Sequence, residues 1–109
     1  MNDLIRNAES YVAASNDHDV ARIRPMLAPD CSYRSEGVGA HDGIDAITTM
    51  MQSFFAANPD VHWQVEDYRW QSDHVVFDFV ITLGGTSSSG VEEIHFDKDG
   101  AISRIVVRR

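Results

Sequence analysis

The feature that most constrains this fold is a change of apolar periodicity near residue 60. Before it, apolar side chains recur every three to four positions, as in "IDAITTMMQSFFAA" (44–57), which is typical of amphipathic helices. Beyond it, apolar and polar residues alternate, as in "VEEIHF" (91–96), which is typical of half-buried strands. Early helices and late antiparallel strands predict a single α+β domain over residues 1–109, with its helices on one face of a curved sheet.

Three helices are expected in the first half of the chain. The first lies within 1–17, and the third covers 44–57 with Asp42 as its N-cap. The second, within 18–27, should be short or kinked, because Pro25 lacks the N–H that would bond back along the helix. The remaining segments are read as strands or loops, in the order ααβαββββ.

Five strands are predicted from alternation and from turn residues. They cover, in chain order, 31–35, 60–70, 74–83, 91–96 and 101–107. The stretches "EGVGAHDG" (36–43) and "GGTSSSG" (84–90) are expected to be loops, the second of them a hairpin loop.

Charge and composition exclude several classes of partner. The net charge is −8, so the surface repels phosphate, and neither a nucleic acid nor an anionic membrane is an expected partner. One cysteine, Cys31, excludes an intramolecular disulfide, and the start "MNDLIRNAES" does not resemble a signal peptide. A cytoplasmic protein is predicted. The histidines lack ligand spacing such as HxxxH, and no cofactor fingerprint is present, so neither a metal nor a cofactor is expected.

Glu92 is the unusual residue of the last hairpin. Alternation in "VEEIHF" puts its carboxylate on the same face as Ile94 and Phe96. If that face points to the core, loss of water raises the pKa of Glu92 and lets it act as an acid or base near neutrality. The alternative is a register shifted by one residue, which would turn Glu93 inward and leave Glu92 in water.

The order and spacing of four segments resemble the nuclear transport factor 2-like superfamily, and within it the SnoaL-like proteins and the steroid delta-isomerases. The segments are "YVAASNDHDVARIRPMLAPDCSYRSEG", "HDGIDAI", "NPDVHWQVEDYRWQSDHVVFDF" and "VEEIHFDKDGAI". The resemblance implies a cone-shaped fold, in which three N-terminal helices pack on a strongly curved, mostly antiparallel sheet. The superfamily includes isomerases, cyclases, dehydratases and proteins that only bind or dimerise.

The isomerase pattern transfers to this sequence position by position. The resemblance puts the tyrosine that donates a hydrogen bond to a developing oxyanion at Tyr11, and the protonated aspartate of the oxyanion hole at Glu92. The aspartate general base falls on Ser35, so the base of that mechanism is missing. Tyr11 and Glu92 are therefore the expected catalytic residues.

A mostly apolar cavity is expected between the helices and the sheet. Tyr33 and Ser35 lie on the inner face of the first strand and can donate hydrogen bonds to a ligand. Such a site suits a small, largely apolar molecule with one carbonyl or hydroxyl. The side chains expected to line the cavity or to pack behind it are Phe54, Phe55, Trp63, Phe77, Phe79, Ile94, Ile105 and Val107.

Two functions fit these residues. The first is an isomerase-, cyclase- or dehydratase-type enzyme without a cofactor, in which Glu92 moves a proton next to a carbonyl and Tyr11 stabilises the enolate oxygen. The second is a non-catalytic ligand-binding or dimerisation module of the same fold, which the missing base at Ser35 favours.

A homodimer is expected with either function. Alternation places Tyr68 and Trp70 on the outer face of the sheet, beside Val76 and Val80. Apolar groups on an outer face suggest a covered surface, and the resemblance implies that this face is where such proteins commonly dimerise.

Overall fold

The computed structural model describes residues 3–108, so the predicted helix positions at Met1 and Asn2 lie outside it. The fold is α+β, with three helices and a six-stranded mixed sheet. Its elements are α1 (Asp3–Asn16), α2 (Val20–Ile23), a 3-10 turn (Arg24–Met26), β1 (Leu27–Ser35), β2 (Gly39–Asp42), α3 (Ile44–Ala57), β3 (His62–Gln71), β4 (His74–Leu83), β5 (Thr86–Phe96) and β6 (Ile102–Arg108).

The sheet is continuous, and its strand order is β2-β1-β6-β5-β4-β3. Strands β1 and β6 pair in parallel, and the other neighbours pair antiparallel. Helices α1 and α2 precede the first strand and α3 follows β2, so all three helices lie before β3, as the order ααβαββββ predicts. Within residues 3–108, no helix is long and apolar enough to cross a bilayer.

The helices follow the apolar periodicity closely. Helix α2 is a single turn, and Asp19 caps it by accepting a hydrogen bond from the Arg22 N–H at 3.1 Å. Pro25 lies in the 3-10 turn that follows, as expected for a ring that cannot continue an α-helix. The predicted cap of α3 is wrong. Gly43 precedes the helix with φ of 89°, while Asp42 belongs to β2 and contacts the Arg34 guanidinium at 3.0 Å.

Both predicted loops contain strand. Gly39–Asp42 pairs with β1, and β5 begins at Thr86 rather than at Val91. The turn between β4 and β5 is only Gly84 and Gly85, whose φ values of 56° and 81° suit a two-residue hairpin. The Ser- and Thr-rich start of β5 is a strand because β4 pairs with it along its whole length, which local composition does not reveal.

A β-bulge in β3 reverses the face of two aromatic residues. The register shifts between Glu66 and Arg69, and Asp67 adopts a left-handed φ of 64°. One extra residue therefore lies opposite β4. Beyond the bulge Trp70 pairs with Val75, and the Tyr68 ring packs 5.1 Å from the Phe77 ring. Tyr68 and Trp70 thus lie on the inner face, which contradicts their predicted place on the outer face.

The outer face consequently lacks the expected aromatic patch. Val76 is buried there by its neighbours, and Val80 is exposed. Arg69 forms ion pairs on this face with Asp67 and Asp78, at 2.9 and 3.2 Å. The expected homodimer stays a prediction, and of the four residues from which it was inferred only Val76 and Val80 lie on the outer face.

Candidate functional site

A cavity of about 230 Å³ lies between α1, α3 and the inner face of the sheet. Most of its lining side chains are apolar or aromatic, and one of them is a carboxylate. None of the described lining residues is a histidine or a cysteine. The lining residues are Tyr11, Val12, Ser15, Tyr33, Ser35, Gly37, Val38, Met50, Met51, Phe54, Phe55, Trp63, Phe77, Phe79, Ile81, Leu83, Glu92 and Val107.

Glu92 is the carboxylate of the cavity. It lies in β5 directly opposite Phe77 on one side and Val107 on the other, both of which line the cavity. Its side chain is 6% exposed. Burial raises the pKa of Glu92 to about 8, because the charged form loses its water. Such a carboxyl can give up and take back a proton near neutral pH.

Helix α1 contributes Tyr11 and Ser15 to the opposite wall. Both are buried, and the Ser15 hydroxyl donates to the Tyr11 carbonyl oxygen at 2.9 Å. Burial, followed by the charge of Glu92, raises the pKa of Tyr11 well above its ordinary value. The phenol therefore keeps its proton and can donate a hydrogen bond. Tyr11 and Glu92 both line the cavity, so the phenol and the carboxyl border the same space.

Ser35 and Glu92 lie in one row across the sheet. Ser35 pairs with Val107, and Val107 pairs with Glu92. Two strand spacings separate the two polar residues, which amounts to roughly 10 Å. The Ser35 hydroxyl accepts from the Gly37 N–H at 3.1 Å, so it helps to hold the β1–β2 turn that borders the cavity. Tyr33 lies two residues before Ser35 on β1, opposite Ile105.

An aromatic group forms another part of the wall. The Phe54, Phe55 and Trp63 rings lie with centroids 6.2 Å apart in each pair. Asn16, at the end of α1, fixes this wall to β3: its amide donates to the Trp63 carbonyl at 2.8 Å and accepts from the Trp63 N–H at 2.7 Å. His18 stacks on Phe55 at 4.6 Å.

The structure brings most of the proposed site residues to the cavity. Ile94 and Ile105 do not line it, but are fully buried behind it. Other lining residues were not predicted as site residues, although helical spacing and strand alternation put most of them on inner faces: Val12, Ser15, Met50, Met51, Ile81 and Leu83. Gly37 and Val38 were not predicted either, because the turn sequence carries no signal for them. The proposed residues that line the cavity are Tyr11, Tyr33, Ser35, Phe54, Phe55, Trp63, Phe77, Phe79, Glu92 and Val107.

Cys31 is not part of this site. Its side chain is fully buried in the core, and burial, with a smaller effect of the Asp30 charge, raises the pKa of its thiol to about 12. A thiol with so high a pKa is a poor nucleophile at neutral pH. Cys31 is therefore a small core residue.

A family comparison covers most of the chain. A SnoaL-like domain matches residues 8–105. The chain belongs to the SnoaL-like domain family. A comparison of this SnoaL-like chain with curated proteins finds no match.

Solved structures share the fold of this SnoaL-like chain at low sequence identity. A SnoaL-like protein of unknown function from Burkholderia thailandensis aligns with a TM-score of 0.86 and 16% identity, over 99% of this chain and 96% of that one. A polyketide cyclase candidate from Sinorhizobium meliloti aligns with a TM-score of 0.82 and 19% identity, over 99% of this chain and 95% of that one. A ketosteroid isomerase candidate from Kribbella flavida aligns with a TM-score of 0.84 and 19% identity, over 95% of this chain and 75% of that one. Likeness at these identities shows the fold, and activity must be argued from the site.

Proposed function

We propose that this SnoaL-like protein binds a small, largely apolar carbonyl compound in its cavity and moves a proton next to the carbonyl, without a cofactor. Glu92 carries the proposal. It is the one carboxyl among the described lining residues, and burial raises its pKa to about 8. A group whose pKa lies near the working pH is an efficient proton-transfer catalyst.

The proposed step uses Glu92 and Tyr11 in separate roles. With a pKa of about 8, Glu92 is ionised in about a tenth of the molecules at pH 7. In these molecules its carboxylate takes a proton from the carbon beside the carbonyl. The electron pair of that C–H bond moves onto the carbonyl oxygen and forms an enolate. Tyr11 keeps its own proton and donates a hydrogen bond to this oxygen. Return of the proton to another carbon gives isomerisation, whereas attack of the enolate carbon on a second carbonyl gives cyclisation.

The ligand class follows from the size and lining of the cavity. A volume of about 230 Å³ is below the roughly 300–1,000 Å³ of sites for drug-sized ligands. In the cone-shaped arrangement that the family resemblance implies, the helices would enclose such a compact ligand. The aromatic wall would take its apolar body, and the hydroxyls of Tyr33 and Ser35 would bind a second polar group.

Hydrogen exchange at carbon tests the proposal without knowledge of the natural substrate. The bicyclic ketone 2-tetralone in D₂O is a suitable probe, because NMR detects deuterium entering beside its carbonyl. We expect the protein to accelerate exchange and Glu92→Gln to lower that rate about 100-fold or more. Glu66→Gln is the matched control, because Glu66 is an exposed carboxyl on the outer face of β3. This variant should accelerate the exchange of 2-tetralone as much as the unmodified protein does. Equal rates for the protein and Glu92→Gln would refute catalysis by Glu92.

The second candidate is a non-catalytic ligand-binding module. It is supported by Ser35, which stands where the isomerase pattern has its general base and is no base unaided. Under this candidate, ligand-observed NMR detects 2-tetralone in the cavity while its exchange rate stays at the buffer value. Substitution of Glu92 would then alter affinity and stability alone.

A further inference from the structure

The outer face of the sheet carries a compact group of metal-ligand side chains, on the side of the sheet opposite to the cavity. His74 on β4 lies directly opposite His95 on β5, and their rings stack with centroids 4.4 Å apart. Glu93 Oε1 lies 3.2 Å from His95 Nε2 and 3.8 Å from His74 Nε2. Donor atoms of Asp73, His74 and His95 all lie within 4.8 Å of one another.

We propose that His74, His95 and Glu93 form a binding site for a transition-metal ion of the Zn²⁺ class. Two imidazole nitrogens and one carboxylate oxygen are a common protein ligand set for zinc, with a fourth position left for water. Bonds of about 2.1 Å in tetrahedral geometry put ligand atoms roughly 3.4 Å apart. The observed separations of 3.2 and 3.8 Å lie close to that spacing.

Neighbouring groups orient these ligands. Asp73 Oδ1 lies 3.1 Å from His74 Nδ1, and a proton on that nitrogen leaves Nε2 free to bind a metal. Arg108 contacts the Oε2 atom of Glu93, so Oε1 remains turned toward the histidines. The side chains of His74, His95 and Glu93 are 16%, 23% and 17% exposed, which restricts their motion before an ion arrives.

Binding requires one local change. The two rings are nearly parallel, with an interplanar angle of 20°, whereas both nitrogen lone pairs must point at one ion. The last torsion of histidine is broad and soft, so each imidazole can turn without moving the strands. The site stands apart from the proposed cavity chemistry, because Glu93 faces away from Glu92 on the same strand.

Zinc titration tests the site directly. We expect calorimetry with ZnCl₂ to show one site on the protein, weakened at least about 10-fold in His74→Gln and in His95→Gln. His62→Gln is the matched control, since His62 is exposed and lies opposite Thr82 at the other end of the β3–β4 hairpin. It should bind zinc as the unmodified protein does.

Imidazole NMR on the unmodified protein keeps the proposal falsifiable if a variant fails to fold. Zinc should shift the ring signals of His74 and His95 and leave that of His62 in place. Zinc affinity unchanged in both His74→Gln and His95→Gln, absence of binding at millimolar zinc, or shifts spread evenly over the histidines would each overturn the site.

Discussion

Glu92 and Glu93 are neighbours in the chain and point to opposite faces of β5. Glu92 is 6% exposed and lies on the inner face opposite Phe77, whereas Glu93 lies on the outer face opposite Val76 and contacts Arg108. Burial raises the pKa of Glu92 to about 8. Burial also acts to raise the pKa of Glu93, but hydrogen bonds from His95 and Arg108 outweigh it and leave that pKa lowered. One residue of register separates the two environments.

The raised pKa of Glu92 predicts a loss of stability as the pH rises. In the unfolded chain this carboxyl ionises near 4.5, but in the folded protein it keeps its proton to about pH 8. Between these values the unfolded chain binds fewer protons, so the free energy of unfolding falls with pH, by on the order of 5 kcal/mol at most. Urea unfolding of the protein and of Glu92→Gln from pH 5 to 9 should give curves that diverge in this window. Parallel curves would contradict the burial of an ionisable Glu92.

Tyr11→Phe should lower catalysis and leave binding nearly intact. The change removes one donor to the enolate oxygen, a loss that commonly costs about 10²–10³-fold in rate. The exchange assay with 2-tetralone measures this directly. Tyr68→Phe is the control, because Tyr68 does not line the cavity, and its rate should stay within a few-fold. An equal loss in both variants would point to general destabilisation instead.

Gly90→Ala should destabilise the protein through Phe79. A Cβ at residue 90 would stand 2.4 Å from Phe79 Cζ and 2.7 Å from the Arg108 carbonyl oxygen. The crowding should cost about 1–3 kcal/mol in the free energy of unfolding, measured by urea denaturation. Ser89→Ala, one residue away and exposed, should change it by less than about 0.5 kcal/mol.

A double variant separates the ring contact from the backbone contact. Phe79→Leu removes the ring atoms that the new methyl group would meet, so Gly90→Ala should cost less in that background. If the losses in free energy of unfolding from Gly90→Ala and Phe79→Leu simply add in the double variant, the effect of Gly90→Ala comes from the Arg108 carbonyl oxygen.

The bulge at Asp67 should tolerate glycine and reject valine. Asp67 has φ of 64°, which costs a β-branched residue about 1–2 kcal/mol and glycine little. Both Asp67→Gly and Asp67→Val lose the carboxylate that pairs with Arg69, so their difference isolates the backbone. Thermal unfolding should place the valine variant below the glycine variant. Equal midpoints would mean that the left-handed conformation is not retained.

The homodimer expected from the family is open to a mass measurement. Sedimentation at micromolar concentration should give twice the chain mass of 12.2 kDa. Since Tyr68 packs on Phe77 at the inner face, Tyr68→Phe should leave that mass unchanged, whereas Val80→Lys on the exposed outer face should lower it. A monomer at all concentrations would refute the homodimer.

Much of the fold could be predicted because helix and strand periods are local properties. Helix α3 and strand β4 have the expected bounds of 44–57 and 74–83. The faces of β4 and β5 also follow from alternation, so the sequence placed Glu92 among apolar residues before any partner strand was known. The cavity walls contributed by Trp63 and Phe77 follow for the same reason.

Pairing between strands decided the rest. The bulge at Asp67 turns Tyr68 inward, and the ladder between β4 and β5 converts the Ser-rich segment 86–90 from loop to strand. The same ladder puts His74 beside His95, although 21 positions separate them in the chain. Alternation fixes which side chains share a face within one strand. Only the hydrogen-bonded register fixes which residues of two strands meet, and that register is a property of the whole sheet.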